Sequence, residues 1–160
     1  MQAPELVSKV VSYCTFSFDK KARLSGHSPD CRERALINYV QQNAQKENAE
    51  AVLSAIDSFT ELSWMPILEK EKGCILDDAA QTHGARVALE LGIYCGFSAI
   101  RIASKMTKPD NKLVAIEMNS HNFGIAKEMI EHAGQNFNSF NIISIIISIE
   151  LFSAKINYVI

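Results

Sequence analysis

Two short apolar runs constrain this chain more than any other feature: Arg86-Val87-Ala88-Leu89-Glu90 and Leu113-Val114-Ala115-Ile116-Glu117. Each is apolar through its body and closes on an acid. Runs of this kind read as buried strands of a parallel sheet. Between them lie Gly92 and Gly96, a helical stretch over 99–106 with Ile100, Ile102 and Ala103 apolar, and the turn residues Lys108-Pro109-Asp110-Asn111. After the second run Ser120 offers a helix cap. Ala126, Met129, Ile130 and Ala133 then share one face, and Gly134 can end the helix. Strand, helix, strand, helix in this order predicts a right-handed parallel unit.

Upstream the pattern is helical. Asp30 followed by Glu33 has capping-box spacing, and Ala35, Leu36, Tyr39 and Val40 recur at helical intervals. A second helix opens at Asn48, with Val52, Leu53, Ile56 and Phe59 on its inner face. Pro66 interrupts, 69–73 reads as a loop, and a third helix is expected over about 74–83. Three segments follow: an extension over 1–30 without clean periodicity and expected to be poorly ordered, an organised domain over 31–135, and a divergent tail over 136–160. The tail is rich in asparagine, serine and isoleucine, with room for one strand at 141–149.

Composition removes several function classes. Sixteen basic and eighteen acidic residues leave a net charge of −2, so nothing favours nucleic acid, whose recognition needs a concentrated basic face. The four cysteines show no Cys-x-x-Cys spacing. Scattered thiols suit a reducing compartment, and a cytoplasmic location is expected. A membrane span needs roughly 20 consecutive apolar residues, and neither end of the chain offers them.

The chemistry concentrates at the two strand ends. In parallel sheets ligands bind outside the carboxyl ends of the strands. Gly92 would let a ligand approach the backbone, and the helix after Gly96 would present free N–H groups. Glu117 is placed to accept hydrogen bonds from two ribose hydroxyls. Glu90, just before the glycine turn, suits a cationic group. The spacing is Gly-x-x-x-Gly, not the Gly-x-Gly-x-x-Gly of dinucleotide folds, so a nucleoside cofactor without a pyrophosphate fits better. Two buried strands that merely end in solvated glutamates are the bland alternative. Asp77 and Asp78 are read as solvated, the four histidines as surface residues, and Cys95 as a packing residue.

Leu89-Glu90-Leu91-Gly92-Ile93-Tyr94-Cys95-Gly96-Phe97-Ser98 resembles the cofactor motif of the catechol O-methyltransferase family. The likeness extends over about 31–135, including Arg34-Ala35-Leu36-Ile37-Asn38-Tyr39-Val40 and the stretch 48–57. The resemblance implies a Rossmann-like class I methyltransferase fold, here as a truncated parallel sheet flanked by helices. It implies S-adenosylmethionine and Mg2+ as cofactors and a catechol as substrate. Position by position, Glu117 would hold the ribose, and Glu90, Gly92, Tyr94 and Ser98 would surround the methionine part. Met118 would lie against the adenine, Leu68 would help hold the cofactor, and Trp64 would line the substrate mouth, with a core role for Trp64 as the alternative. Pro66 and Ile67 depart from the family pattern beside Leu68.

The family's metal ligands, two aspartates and an asparagine, and its lysine base fall in the later half of the fold. Here the last aspartate is Asp110, and after Gly134 the only lysine is Lys155. No catalytic residue and no Mg2+ ligand is therefore assigned, and impaired catalysis is expected. Self-association through an exposed sheet edge is a further expectation. Three other readings stand beside this one: a non-catalytic S-adenosylmethionine-binding or interaction fragment, a dinucleotide-dependent oxidoreductase using Glu117, and a helical docking module over 31–83.

Overall fold

The computed structural model describes residues 3–20, 28, 30–82, 84 and 86–135. Among the described residues four helices precede the first strand: α1 (Ala3–Phe18), α2 (Arg32–Asn43), α3 (Ala49–Leu62) and α4 (Lys70–Thr82). Then come β1 (Val87–Leu91), α5 (Phe97–Lys105), β2 (Lys112–Ile116) and α6 (Ser120–His132). β1 and β2 pair in parallel, with Glu90 opposite Ala115 and Leu91 opposite Ile116. The expected strand–helix–strand–helix unit is present. The strand expected at 141–149 lies outside the described residues.

The core forms where the apolar faces of α2, α3, α5 and α6 meet the sheet. Leu36, Ile37 and Val40 of α2, Val52 and Ile56 of α3, Ile100 of α5, Leu113 of β2, and Ile125, Met129 and Ile130 of α6 are fully buried or nearly so. Their recurrence at i, i+3 and i+4 makes each segment a helix with one apolar side, which packing then stabilises. Helix α3 opens on Asn48, whose side chain accepts from the Ala51 N–H at 3.0 Å. Burial along β1 is one-sided: Glu90 is buried, whereas Val87, Leu89 and Leu91 are 60–75% exposed.

Five local expectations are corrected. Poor order was expected over 1–30, yet α1 stands there. It docks on α3, with the Trp64 N–H donating to Ser12 Oγ at 2.6 Å, Tyr13 edge-on to Trp64 at 4.9 Å, and Lys9 3.3 Å from Glu61. Tertiary contacts supply what the periodicity lacks. Asp30 does not cap α2. Cys31 holds the cap position at φ 55, Asp30 pairs with Arg32 at 2.6 and 2.8 Å, and Glu33 accepts from the Ser28 N–H. Asn119, not Ser120, caps α6, because its side chain reaches the His121 and Asn122 N–H groups at 2.9 and 3.2 Å. The loop expected at 69–73 is largely the first turn of α4. Gly73 is helical and makes room: a Cβ there would stand 2.8 Å from Arg101 Cζ. Asp77 is not a free surface acid, since it accepts from Arg101 at 2.7 and 3.0 Å and joins α4 to α5.

Candidate cofactor site

The loop from β1 into α5 builds the site. Gly92 leaves the strand at φ 86, Tyr94 follows at φ 48, and Gly96 turns the chain into α5 at φ 85. Both glycines occupy left-handed backbone that disfavours a side chain. At Gly92 an added Cβ would meet nothing within 4 Å, so the backbone there faces open space. At Gly96 it would lie 3.3 Å from the Ala126 carbonyl, so the missing side chain lets the loop press against α6.

Glu90 sits under this loop, 9% exposed. Its Oε1 accepts from the Ser98 hydroxyl in the first turn of α5, and its Oε2 is buried without a partner among the described residues. Burial pushes its pKa from the usual 4.5 up to about 7; the Ser98 hydrogen bond opposes the rise and the charge of Glu117 adds to it. A carboxylate in this condition is stabilised by a cation.

Glu117 follows β2, opposite the glycine turn, and is 8% exposed. The Tyr94 N–H donates to its Oε2 at 2.9 Å, and the Asn119 N–H to its Oε1 at 2.8 Å. Each oxygen keeps acceptor capacity beyond these bonds. The Tyr94 hydroxyl donates to Glu33 Oε1 at 2.8 Å, and burial first, then Cys95 and Glu33, raise the phenol's pKa so that it stays a donor. Cys95 is 1% exposed, and burial holds its thiol well above the ordinary range, which agrees with a packing role.

A cavity of about 530 Å3 opens beside Glu90. Of the residues proposed from sequence, it brings together Leu68, Glu90, Gly92, Tyr94 and Ser98. Glu117 joins them through the Tyr94 N–H and does not line the cavity wall. Met118, 52% exposed, stands one residue further along, also outside it. Trp64 lines a second cavity, of about 300 Å3, which shares Pro66, Ile67, Leu68 and Lys72 with the first. Sequence reasoning missed the α4 wall, made by Lys72, Ile75, Leu76 and Ala79, because that stretch was divided between a loop and a helix. It also missed Glu33, whose acid had been given a capping role.

The residues fit a cationic nucleoside: an unpartnered buried carboxylate oxygen, an open backbone at Gly92, and a second carboxylate at the neighbouring strand end. Among the described residues no group of three or more His, Cys, Asp or Glu side chains could hold a metal ion.

A parallel strand–helix–strand unit with a glycine turn and two carboxylates at the strand ends is the arrangement of a Rossmann-like fold. The chain belongs to the O-methyltransferase family, whose model matches residues 43–146. It is 38% identical over 104 residues to catechol O-methyltransferase B of Danio rerio, covering 64% of this chain and 39% of that protein. It is 34% identical over 104 residues to catechol O-methyltransferase of Mus musculus, again 64% and 39%. A probable O-methyltransferase of Mycobacterium tuberculosis is 36% identical over 111 residues, 69% of this chain and 47% of that one. Among solved structures, the O-methyltransferase of Bacillus cereus in complex with SAH is 27% identical at a TM-score of 0.44, covering 64% of this chain and 46% of that one. The chain thus spans about two fifths of the length of the catechol O-methyltransferases it matches.

Proposed function

We propose that this chain carries the S-adenosylmethionine-binding part of a methyltransferase acting on a catechol hydroxyl. The observation that carries this reading is Glu90: a buried carboxylate with one unpartnered oxygen, on the wall of a cavity of about 530 Å3, beneath a glycine turn. Glu90 would face the α-ammonium of the cofactor, with Ser98 fixing the carboxylate. Glu117, oriented by the Tyr94 and Asn119 N–H groups, would take the ribose hydroxyls. Gly92 lets the ligand reach the backbone, and Leu68 lines the same cavity. Met118 would flank the adenine, and Trp64 the mouth through which a catechol enters. When bound, the cofactor supplies an electrophilic methyl group on sulfur.

The same carboxylates oppose the diphosphate of a dinucleotide, since an anion beside two acids is repelled. The catechol assignment is supported by the family and by the relatives at 34–38% identity. Little turnover by this chain is proposed from the sequence, in which the last aspartate is Asp110 and the only lysine after Gly134 is Lys155. Among the described residues no helix is long and apolar enough to cross a membrane. A cytoplasmic location is proposed from the four unpaired cysteines.

Isothermal titration calorimetry with S-adenosylmethionine tests the reading. Binding is expected, weakened at least about tenfold in Glu90→Gln, because a charge-assisted contact contributes about 1.5–3 kcal/mol. Absence of binding, or preferential binding of NADH, overturns it.

A further inference from the structure

Tyr94 links two parts of the chain that are 61 residues apart. Its backbone N–H points at Glu117, the acid at the end of β2, and its hydroxyl points at Glu33, in the first turn of α2. Glu33 is fully buried, and the same Oε1 that takes the Tyr94 hydroxyl also accepts from the Ser28 N–H at 2.8 Å. The segment around Glu33 is itself anchored: Arg32 donates to the Trp64 carbonyl at 2.6 Å and to both oxygens of Asp30. Tyr94 sits at φ 48, left-handed backbone that a non-glycine residue keeps only where its surroundings hold it. A buried acid bonded to the far end of the same side chain is such a hold. In a buried setting a hydrogen bond to an acidic side chain is strong and directional.

We propose that Glu33 is a positioning residue for the cofactor loop. Through the Tyr94 hydroxyl it keeps the loop in the left-handed turn that aims the Tyr94 N–H at Glu117, and so sets the affinity for an S-adenosyl ligand. The inference rests on the cofactor reading above and adds to it a residue that lies outside the glycine motif and outside the cavity wall. It also gives α2 a function beyond core packing: its first turn is the fixed point against which the loop is held.

The test is a double-mutant cycle on the full chain, read as S-adenosylhomocysteine affinity by calorimetry, with Tyr94→Phe, Glu33→Ala and the pair. Tyr94→Phe keeps the ring and removes only the donor. Each single change is expected to weaken binding by roughly threefold to tenfold, the worth of one buried hydrogen bond. The double variant is expected to lose little more than the worse single variant, because both remove the same bond. Glu33→Ala should lose more affinity than Glu33→Gln, whose amide oxygen can still accept from the hydroxyl. Parent-like affinity in Tyr94→Phe, or losses that simply multiply in the double variant, overturns the proposal. If Glu33→Ala fails to fold, the Tyr94→Phe affinity alone decides. If the unaltered chain binds no S-adenosyl ligand, the cofactor reading falls and this inference with it; if the unaltered chain binds and the variants match it, only the positioning role falls.

Discussion

Glu90 is the side chain with the most to lose from its own environment. Its carboxyl is buried, bonded once, and faces a second acid, so folding raises its pKa to about 7. A group whose folded pKa exceeds its unfolded value binds more protons in the native state. Stability from this group is therefore full below about pH 4.5 and falls as pH rises through 7. The displacement corresponds to on the order of 3 kcal/mol. Without ligand, Glu90→Gln is expected to raise the melting temperature at pH 8 more than at pH 5, and calorimetric scans at the two pH values check this. Ligand affinity should move the opposite way and strengthen from pH 6 to pH 8, because the cation prefers the ionised carboxylate. An affinity flat across that range would separate Glu90 from the ligand's charge.

At the scale of elements, α4 and α5 are joined by Arg101 and Asp77. The two side chains are only 10% and 24% exposed, and two N–H groups of Arg101 reach the carboxylate. Gly73 supplies the space in which the guanidinium lies. Removing one partner of so enclosed a pair strands the other, at a cost of roughly 3–5 kcal/mol when burial is complete. Asp77→Ala is expected to cost somewhat less, about 2–3 kcal/mol, since Asp77 keeps some contact with water. Urea unfolding measures it. As α4 and α5 both wall the cavity, the same variant should also weaken S-adenosylmethionine binding.

Across the whole molecule, burial is uneven. Along β1 Glu90 is buried, while Val87, Leu89 and Leu91 are 60–75% exposed. Three large apolar side chains in a row on a strand form a surface that water disfavours. Self-association of the chain beside this sheet edge is a proposal that these side chains motivate. Light scattering across a concentration series should show growth that Leu89→Lys reduces; a monodisperse monomer at every concentration would remove the expectation.

The alternation of apolar runs with helical periods, the glycines at 92 and 96, and the two terminal acids were legible in the linear chain. Each is a local matter: period, backbone freedom and residue type set them without reference to distant partners. The family resemblance groups Gly92, Tyr94 and Ser98 with Glu90 and adds Leu68 as a further cofactor contact, and all five line one cavity. What the linear chain could not display was pairing over distance. The helix at Ala3–Phe18 has weak periodicity and stands by its contacts with Trp64 and Glu61. Gly73 reads as a helix breaker until Arg101 is seen occupying the space of its missing side chain. Glu33 reads as a capping acid until Tyr94 arrives from 61 residues away. Local preference is written residue by residue, but a partner exists only once the chain has closed on itself, and burial then decides which polar groups must find one.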